Sequence, residues 1–243
     1  MSEAKVAMNN QTTLVLLPGL DGTEVFFGPL LRHLPDWVEP KIIVYPDTGP
    51  NDYDSLLSMV LDEIAPLENF VILGWSFGGP LALRVASRCP ARISGLILCG
   101  SFVTPPRAAL VPLNFALSGP VVAVLRAMGR MSLFIPGFTE PEFFQAKVET
   151  WDRVSSEVLA SRSRAALTVD VRQELQACQA PLMYLAATHD EVVPRDCLNE
   201  VLALAPATRV LEVEGPHLVL FSNPVASAAA IVNFLNSLTE DLL

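Results

Sequence analysis

The chain has 243 residues, of which 51% are hydrophobic and only 17% charged, and it carries a net charge of −10. Such a composition excludes intrinsic disorder, and the length suits one large domain with room for an insertion. The acidity argues against nucleic acid as the main partner.

The longest apolar runs, Gly119–Leu125 and Ala226–Leu235, are broken by polar groups. They fall well short of the ~20 residues that cross a bilayer, so no membrane insertion is expected. The first residues lack a basic flank followed by an apolar stretch, so a cytoplasmic location is expected. Cys89, Cys99, Cys178 and Cys197 are widely spaced and form no CxxC motif. They read as buried thiols, with neither a disulfide framework nor a metal site. The sequon Asn10-Gln11-Thr12 reads as coincidental without a secretory leader.

Short β-rich runs recur along the chain at Thr13–Leu17, Lys41–Tyr45, Asn69–Leu73, Ser94–Cys99, Pro181–Ala186 and Thr208–Val213. Most are continuously apolar, which marks strands covered on both faces. Helical patterns lie between them. A first helix begins near Thr23 and carries His33. Tyr53–Ala65 has Asp54 or Ser55 as its N-cap, and Phe77–Arg88 stops before Pro90. Asp196–Leu204 and Val225–Leu238 complete the set, the last with Pro224 in its first turn. This alternation predicts an α/β fold with an about six-stranded, mainly parallel sheet and helices on both faces.

From Pro105 to about Ala166 no strand is evident. Prolines punctuate helical segments near Pro120–Met128, Glu140–Val148 and Asp152–Arg162, and the stretch is too long for a loop. It reads as a helical cap. The division is therefore core over residues 1–104, cap over 105–169 and core again over 170–243. Residues 105–172 hold eight of the chain's sixteen Lys and Arg residues against six acids, a net of +2, which leaves −12 for the remainder.

The strongest local signal is Gly74-Trp75-Ser76-Phe77-Gly78-Gly79, a G-x-S-x-G pattern with a strand running in and a helix running out. That is the setting of a nucleophile elbow, where the glycines permit a sharp turn and the helix N-terminus favours developing negative charge. A serine hydroxyl needs a base. Of the three histidines, His217 follows the last strand, whereas His33 sits early in the chain and His189 directly precedes Asp190. His217 is the candidate base. The acid that orients it is Asp190, beyond the end of the fifth strand, with Glu191 the nearest competitor. Oxyanion donors are expected from the Phe77 amide and from the loop Leu17-Pro18-Gly19-Leu20-Asp21-Gly22-Thr23, with the Leu20 amide as candidate.

With its Ser76, Asp190, His217 order, its elbow and its insertion after the fourth strand, the chain resembles the α/β-hydrolase superfamily. The GWSxGG elbow, compact size and helical cap are similar to small microbial carboxylesterases such as the pimeloyl-acyl-carrier-protein methyl ester esterases of biotin synthesis. The resemblance implies Ser76 as nucleophile, His217 as base and Asp190 as orienting acid, with the Leu20 and Phe77 amides forming the oxyanion hole. It implies no metal and no organic cofactor. Only about a dozen residues precede the first strand, so most of the family's N-terminal hairpin is expected to be absent. Pro18-Gly19 stands where the family often has His-Gly.

The expected activity is hydrolysis of carboxylic esters with a short-to-medium acyl chain. Thioesterase or acyltransferase chemistry on the same triad, or a non-catalytic ligand receptor, are the alternatives. Trp75, Phe143 and Phe144 are candidate substrate contacts, among cap apolar residues that include Leu110, Leu113, Phe115, Leu117, Val121 and Phe134. The cap's cationic excess suggests attraction to an anionic substrate or an acyl-carrier protein.

Overall fold

A computed structural model describes residues 11–127 and 141–240. Asn10, Met128, Arg130, Phe134, Pro136 and Glu140 lie outside them. The strands are β1 (Thr12–Leu17), β2 (Val38–Ile42), β3 (Phe70–Trp75), β4 (Ile93–Cys99), β5 (Leu182–His189) and β6 (Arg209–Pro216). They form one six-stranded sheet in the order β2-β1-β3-β4-β5-β6, with every pairing parallel.

Because consecutive side chains in a strand point to opposite faces, each central strand feeds two apolar layers. Val15, Leu17, Ile72, Leu96, Leu98 and Tyr184 face one; Leu14, Leu16, Leu73, Ile97, Met183 and Leu185 face the other. The first layer is closed by α2 (Tyr53–Glu63), α3 (Gly78–Arg88) and α8 (Arg195–Leu204), through residues such as Leu56, Val60, Leu81 and Val201. The second is closed by α1 (Gly28–Leu31), α9 (Val219–Ser222) and α10 (Pro224–Glu240), through Leu30, Leu220, Ile231 and Phe234. Each fully buried aliphatic or aromatic side chain of this kind contributes roughly 1.5–3 kcal/mol.

The elements between β4 and β5 are all helical among the described residues. A 3₁₀ stretch covers Ala108–Ala116, followed by α4 (Gly119–Ala127), α5 (Pro141–Arg153), α6 (Ser156–Ala166) and α7 (Arg172–Ala177). Val122, Val154, Val158, Leu159 and Ala160 form a small apolar cluster within this region, and Leu20 packs against it. No single described helix is long and apolar enough to cross a membrane, and Ala108–Ala116 meets α4 at a bend of 111°.

Several boundaries differ from the sequence expectation. The second strand is Val38–Ile42, not Lys41–Tyr45. Pro40 cannot donate to a ladder, but β2 is an edge strand with one neighbour, where a proline is tolerated. Extended backbone continues beyond it, with Ile43 N–H donating to Leu16 O. The N-cap of α2 is Asp52, whose carboxylate accepts the Ser55 amide at 2.9 Å, in place of Asp54 or Ser55. Helix α5 runs on to Arg153, and α6 starts at Ser156 because the Ser155 hydroxyl accepts from Val158 N–H. The helix expected near Thr23 is a 3₁₀ turn at Val25–Phe27 followed by the short α1, and His33 sits exposed in the turn after it. Cys99 and Cys197 are buried, whereas Cys89 and Cys178 are only half-buried.

Candidate active site

The chain winds from β1 outward to β2, then returns past β1 to β3, so the winding direction reverses between β1 and β3. In open α/β sheets, ligands gather at such a switch point, beyond the carboxyl ends of the strands. Ser76 follows β3 there, with φ of +52°, the only non-glycine residue in the left-handed region among the described residues. That conformation costs on the order of 1–3 kcal/mol and persists only where its surroundings hold it. The Ser76 amide donates to Cys99 O at 2.9 Å, and the Ser101 hydroxyl donates to Ser76 O at 2.7 Å.

The glycines of the elbow answer to close packing. A Cβ on Gly78 would lie 2.5 Å from Leu17 O and 2.8 Å from Pro18 O, both backbone atoms that cannot swing aside. Gly78→Ala is therefore expected to destabilise the fold by about 1–3 kcal/mol. It should also lower turnover, since the added methyl pushes α3 away from the loop after β1. Thermal melting and steady-state rates check both.

Three side chains distant in sequence meet at this rim. His217, just beyond β6, has Nε2 2.9 Å from the Ser76 hydroxyl and Nδ1 2.7 Å from Asp190 Oδ2. With the proton on Nδ1, the ring donates to Asp190 and accepts from Ser76. The other carboxylate oxygen, Asp190 Oδ1, accepts the Val192 and Val193 amides at 2.9 and 2.8 Å. Ser76 and His217 are both buried. Trp75 lies beneath the imidazole, ring centroids 5.9 Å apart, and its Nε1 donates to His217 O at 3.4 Å. His33, His189 and Glu191 are exposed and take no part.

The Phe77 amide follows Ser76 at the start of α3, and the loop carrying Leu20 packs against the elbow through Gly19 and the Trp75 ring. Neither the Phe77 nor the Leu20 amide donates to a protein acceptor among the described residues.

The candidate substrate contacts divide. Phe143 is buried against Phe26 and Phe221, at 6.2 and 6.0 Å between centroids, and Phe26 reaches Trp75 at 6.1 Å. Phe144 instead is 67% exposed, because the neighbouring position on α5 turns it away from this cluster. Of the other apolar cap residues, Leu110, Leu113, Phe115 and Val121 are exposed as well. Phe26 and Phe221 were not singled out from sequence. The only signal was position, Phe26 in the 3₁₀ turn that follows the loop after β1 and Phe221 on α9 just beyond His217.

Most described cations of residues 105–172 are engaged internally. Arg153 pairs with Glu24 and Arg172 with Asp170, while Arg107, Arg126 and Arg164 donate to the carbonyls of Glu191, Val154 and Leu117. Arg162 is buried. No group of three or more His, Cys, Asp or Glu side chains is placed to hold a metal ion among the described residues.

The sheet, the elbow and the residues gathered beside it define a hydrolase of the α/β type. Residues 14–230 match the family model of the Alpha/beta hydrolase family, and the chain belongs to that family. It is 23% identical to pyrrolizixenacetamide deacetylase of Xenorhabdus hominickii, over 94% of this chain and 92% of that one. It is 28% identical to the pimeloyl-[acyl-carrier protein] methyl ester esterase of Sodalis glossinidius, over 67% and 68% of the two chains. A carboxylesterase structure from Nitrososphaera gargenis superposes with a TM-score of 0.77 at 17% identity, covering 96% of this chain and 93% of that one, a likeness of fold.

Proposed function

We propose that the protein is a serine carboxylesterase acting through an acyl-enzyme on Ser76. The observation that supports this most directly is the unbroken relay from Ser76 Oγ through His217 to Asp190, with steps of 2.9 and 2.7 Å. In this reading His217 takes the proton as Ser76 Oγ attacks the ester carbonyl. The tetrahedral oxyanion is held by the Phe77 and Leu20 amides. His217 then protonates the departing alcohol, and the acyl group stays on Ser76. In the second half His217 deprotonates a water, which attacks the acyl carbonyl and releases the acid and the free serine. The base and the oxyanion donors each contribute about 10²–10⁴ in rate. Phe26, Phe143 and Phe221 supply the apolar wall for a short-to-medium acyl chain.

The test is a panel of esters varied in acyl length and alcohol, with matched thioesters and amides, assayed beside a fluorophosphonate probe. Oxygen esters of short-to-medium acyl chain are expected to give the highest kcat/KM, with the probe on Ser76. Preference for thioesters or amides overturns the ester assignment. No turnover together with no labelling points to a ligand receptor on a hydrolase fold. Carrier-linked esters belong in the panel because of the cap's net positive charge. Equal, salt-independent kcat/KM for free and carrier-linked forms rules out a carrier partner.

A further inference from the structure

The loop after β1 is held by a side chain from the cap. A guanidinium offers only donors, and buried donors must be satisfied. Arg162, on α6, is only 1% exposed. Its Nη1 donates to Leu20 O at 3.1 Å and to Asp21 O at 2.6 Å. Its Nη2 donates to Pro46 O at 2.8 Å, and its Nε to Asn51 Oδ1 at 2.9 Å. The group lies over the Tyr45 ring, 5.3 Å from its centroid. Gly22, at φ of +72°, leaves the space the guanidinium occupies, since a Cβ there would collide with it.

These bonds complete a series along one short turn. The Tyr45 hydroxyl donates to Pro18 O at 3.2 Å, and Gly22 N–H donates to Gly19 O at 3.0 Å. Arg162 takes the next two carbonyls. The Asp21 carboxylate closes the turn by accepting the Thr23 amide and hydroxyl at 2.9 and 2.6 Å. Four consecutive carbonyls, Pro18 to Asp21, are thus each tied down. The Leu20 amide lies within this run, in the peptide plane that holds Gly19 O, so its direction is set by the bonds on either side. The Leu20 side chain packs into the cap's apolar cluster, a second contact from the same source.

The geometry points to Arg162 as a positioning residue that aims the Leu20 amide, so that the cap, and not the sheet alone, sets one half of the oxyanion hole. This rests on the esterase reading above. Burial draws the guanidinium down to about 10, which leaves it charged at neutral pH and able to polarise the carbonyls it holds. A cap displaced from the core would withdraw the cation and loosen the turn, so an intact hole requires a seated cap.

The test compares wild type with Arg162→Ala and Arg162→Lys. It measures kcat, KM, melting temperature, pH profile and affinity for a trifluoromethyl ketone, which forms an anionic tetrahedral adduct on a reactive serine. One misplaced oxyanion donor lowers kcat by about 10²–10³-fold. Arg162→Ala is expected to show a loss of that order, with KM nearly unchanged and ketone affinity falling in parallel. The pH profile should keep its shape, since Asp190 and His217 are untouched. Added guanidinium ion at sub-denaturing concentration should restore part of kcat. Arg162→Lys keeps the charge but not the forked geometry, so it should fold and still lose kcat and ketone affinity together. A folded variant with wild-type kcat and ketone affinity overturns the inference, even if its melting temperature is lower. A wild type that hydrolyses no ester overturns the esterase reading instead.

Discussion

Ser76→Ala is expected to lower kcat/KM by about 10⁴-fold or more, with the fold preserved. The hydroxyl is the only group in the relay able to form the acyl-enzyme, so nothing replaces it. The structural cost is small by comparison. Alanine meets the same restriction at φ of +52° as serine does, so the strain at the elbow is unchanged. The backbone bonds from Ser76 N–H to Cys99 O and from Ser101 to Ser76 O remain. What is lost is one hydrogen bond to His217 Nε2, worth about 1 kcal/mol, which moves the melting temperature by only about 2–4 °C in a chain of this size. Steady-state assays, fluorophosphonate labelling and thermal melting check the three parts. A variant that keeps a tenth of the activity would remove Ser76 from its role.

Asp190→Asn is expected to lower kcat by about 10⁴-fold at neutral pH while leaving KM little changed. Asp190 works on both its oxygens. Oδ1 accepts two backbone amides and Oδ2 accepts from His217 Nδ1. An amide side chain at that place must choose. If its oxygen keeps the Val192 and Val193 amides, its NH₂ faces His217 and donates to Nδ1, which moves the ring proton to Nε2. The ring then cannot accept from Ser76. If it flips, the NH₂ meets two backbone donors with no acceptor. The first arrangement preserves the fold and disables the base. The second keeps the tautomer, because the amide oxygen accepts from Nδ1, but sets the NH₂ against the two backbone donors and removes the charge that stabilises the imidazolium. Turnover measured beside circular dichroism tests this, and activity within tenfold of wild type would show that the carboxylate does not set the tautomer.

The parts of the site legible in the sequence share one property: each is announced by its immediate neighbours. Ser76 is flagged by glycines at positions 74, 78 and 79 and by an apolar strand running into it. Asp190 and His217 are each found just past a strand, where a doubly wound sheet delivers loops to one rim. Phe144 was a poor guide because hydrophobicity alone does not say which side of α5 faces inward. That depends on where Phe26 and Phe221 lie, far away in the chain. Arg162 read as one more cap cation for the same reason.

Sequence alone therefore determined the alternation of strands and helices, the chain order in which Ser76, Asp190 and His217 follow their strands, and the helical stretch between the fourth and fifth strands, since local propensity and turn chemistry carry those features over a few residues. Tertiary structure alone decided which aromatic side chains stand beside His217, that β2 pairs through Pro40 at the sheet edge, and that a cap arginine grips the carbonyls of Leu20 and Asp21. The physical reason is range. A buried guanidinium is tolerable only where acceptors from several segments converge, and here those at 20, 21, 46 and 51 lie more than a hundred residues from it along the chain.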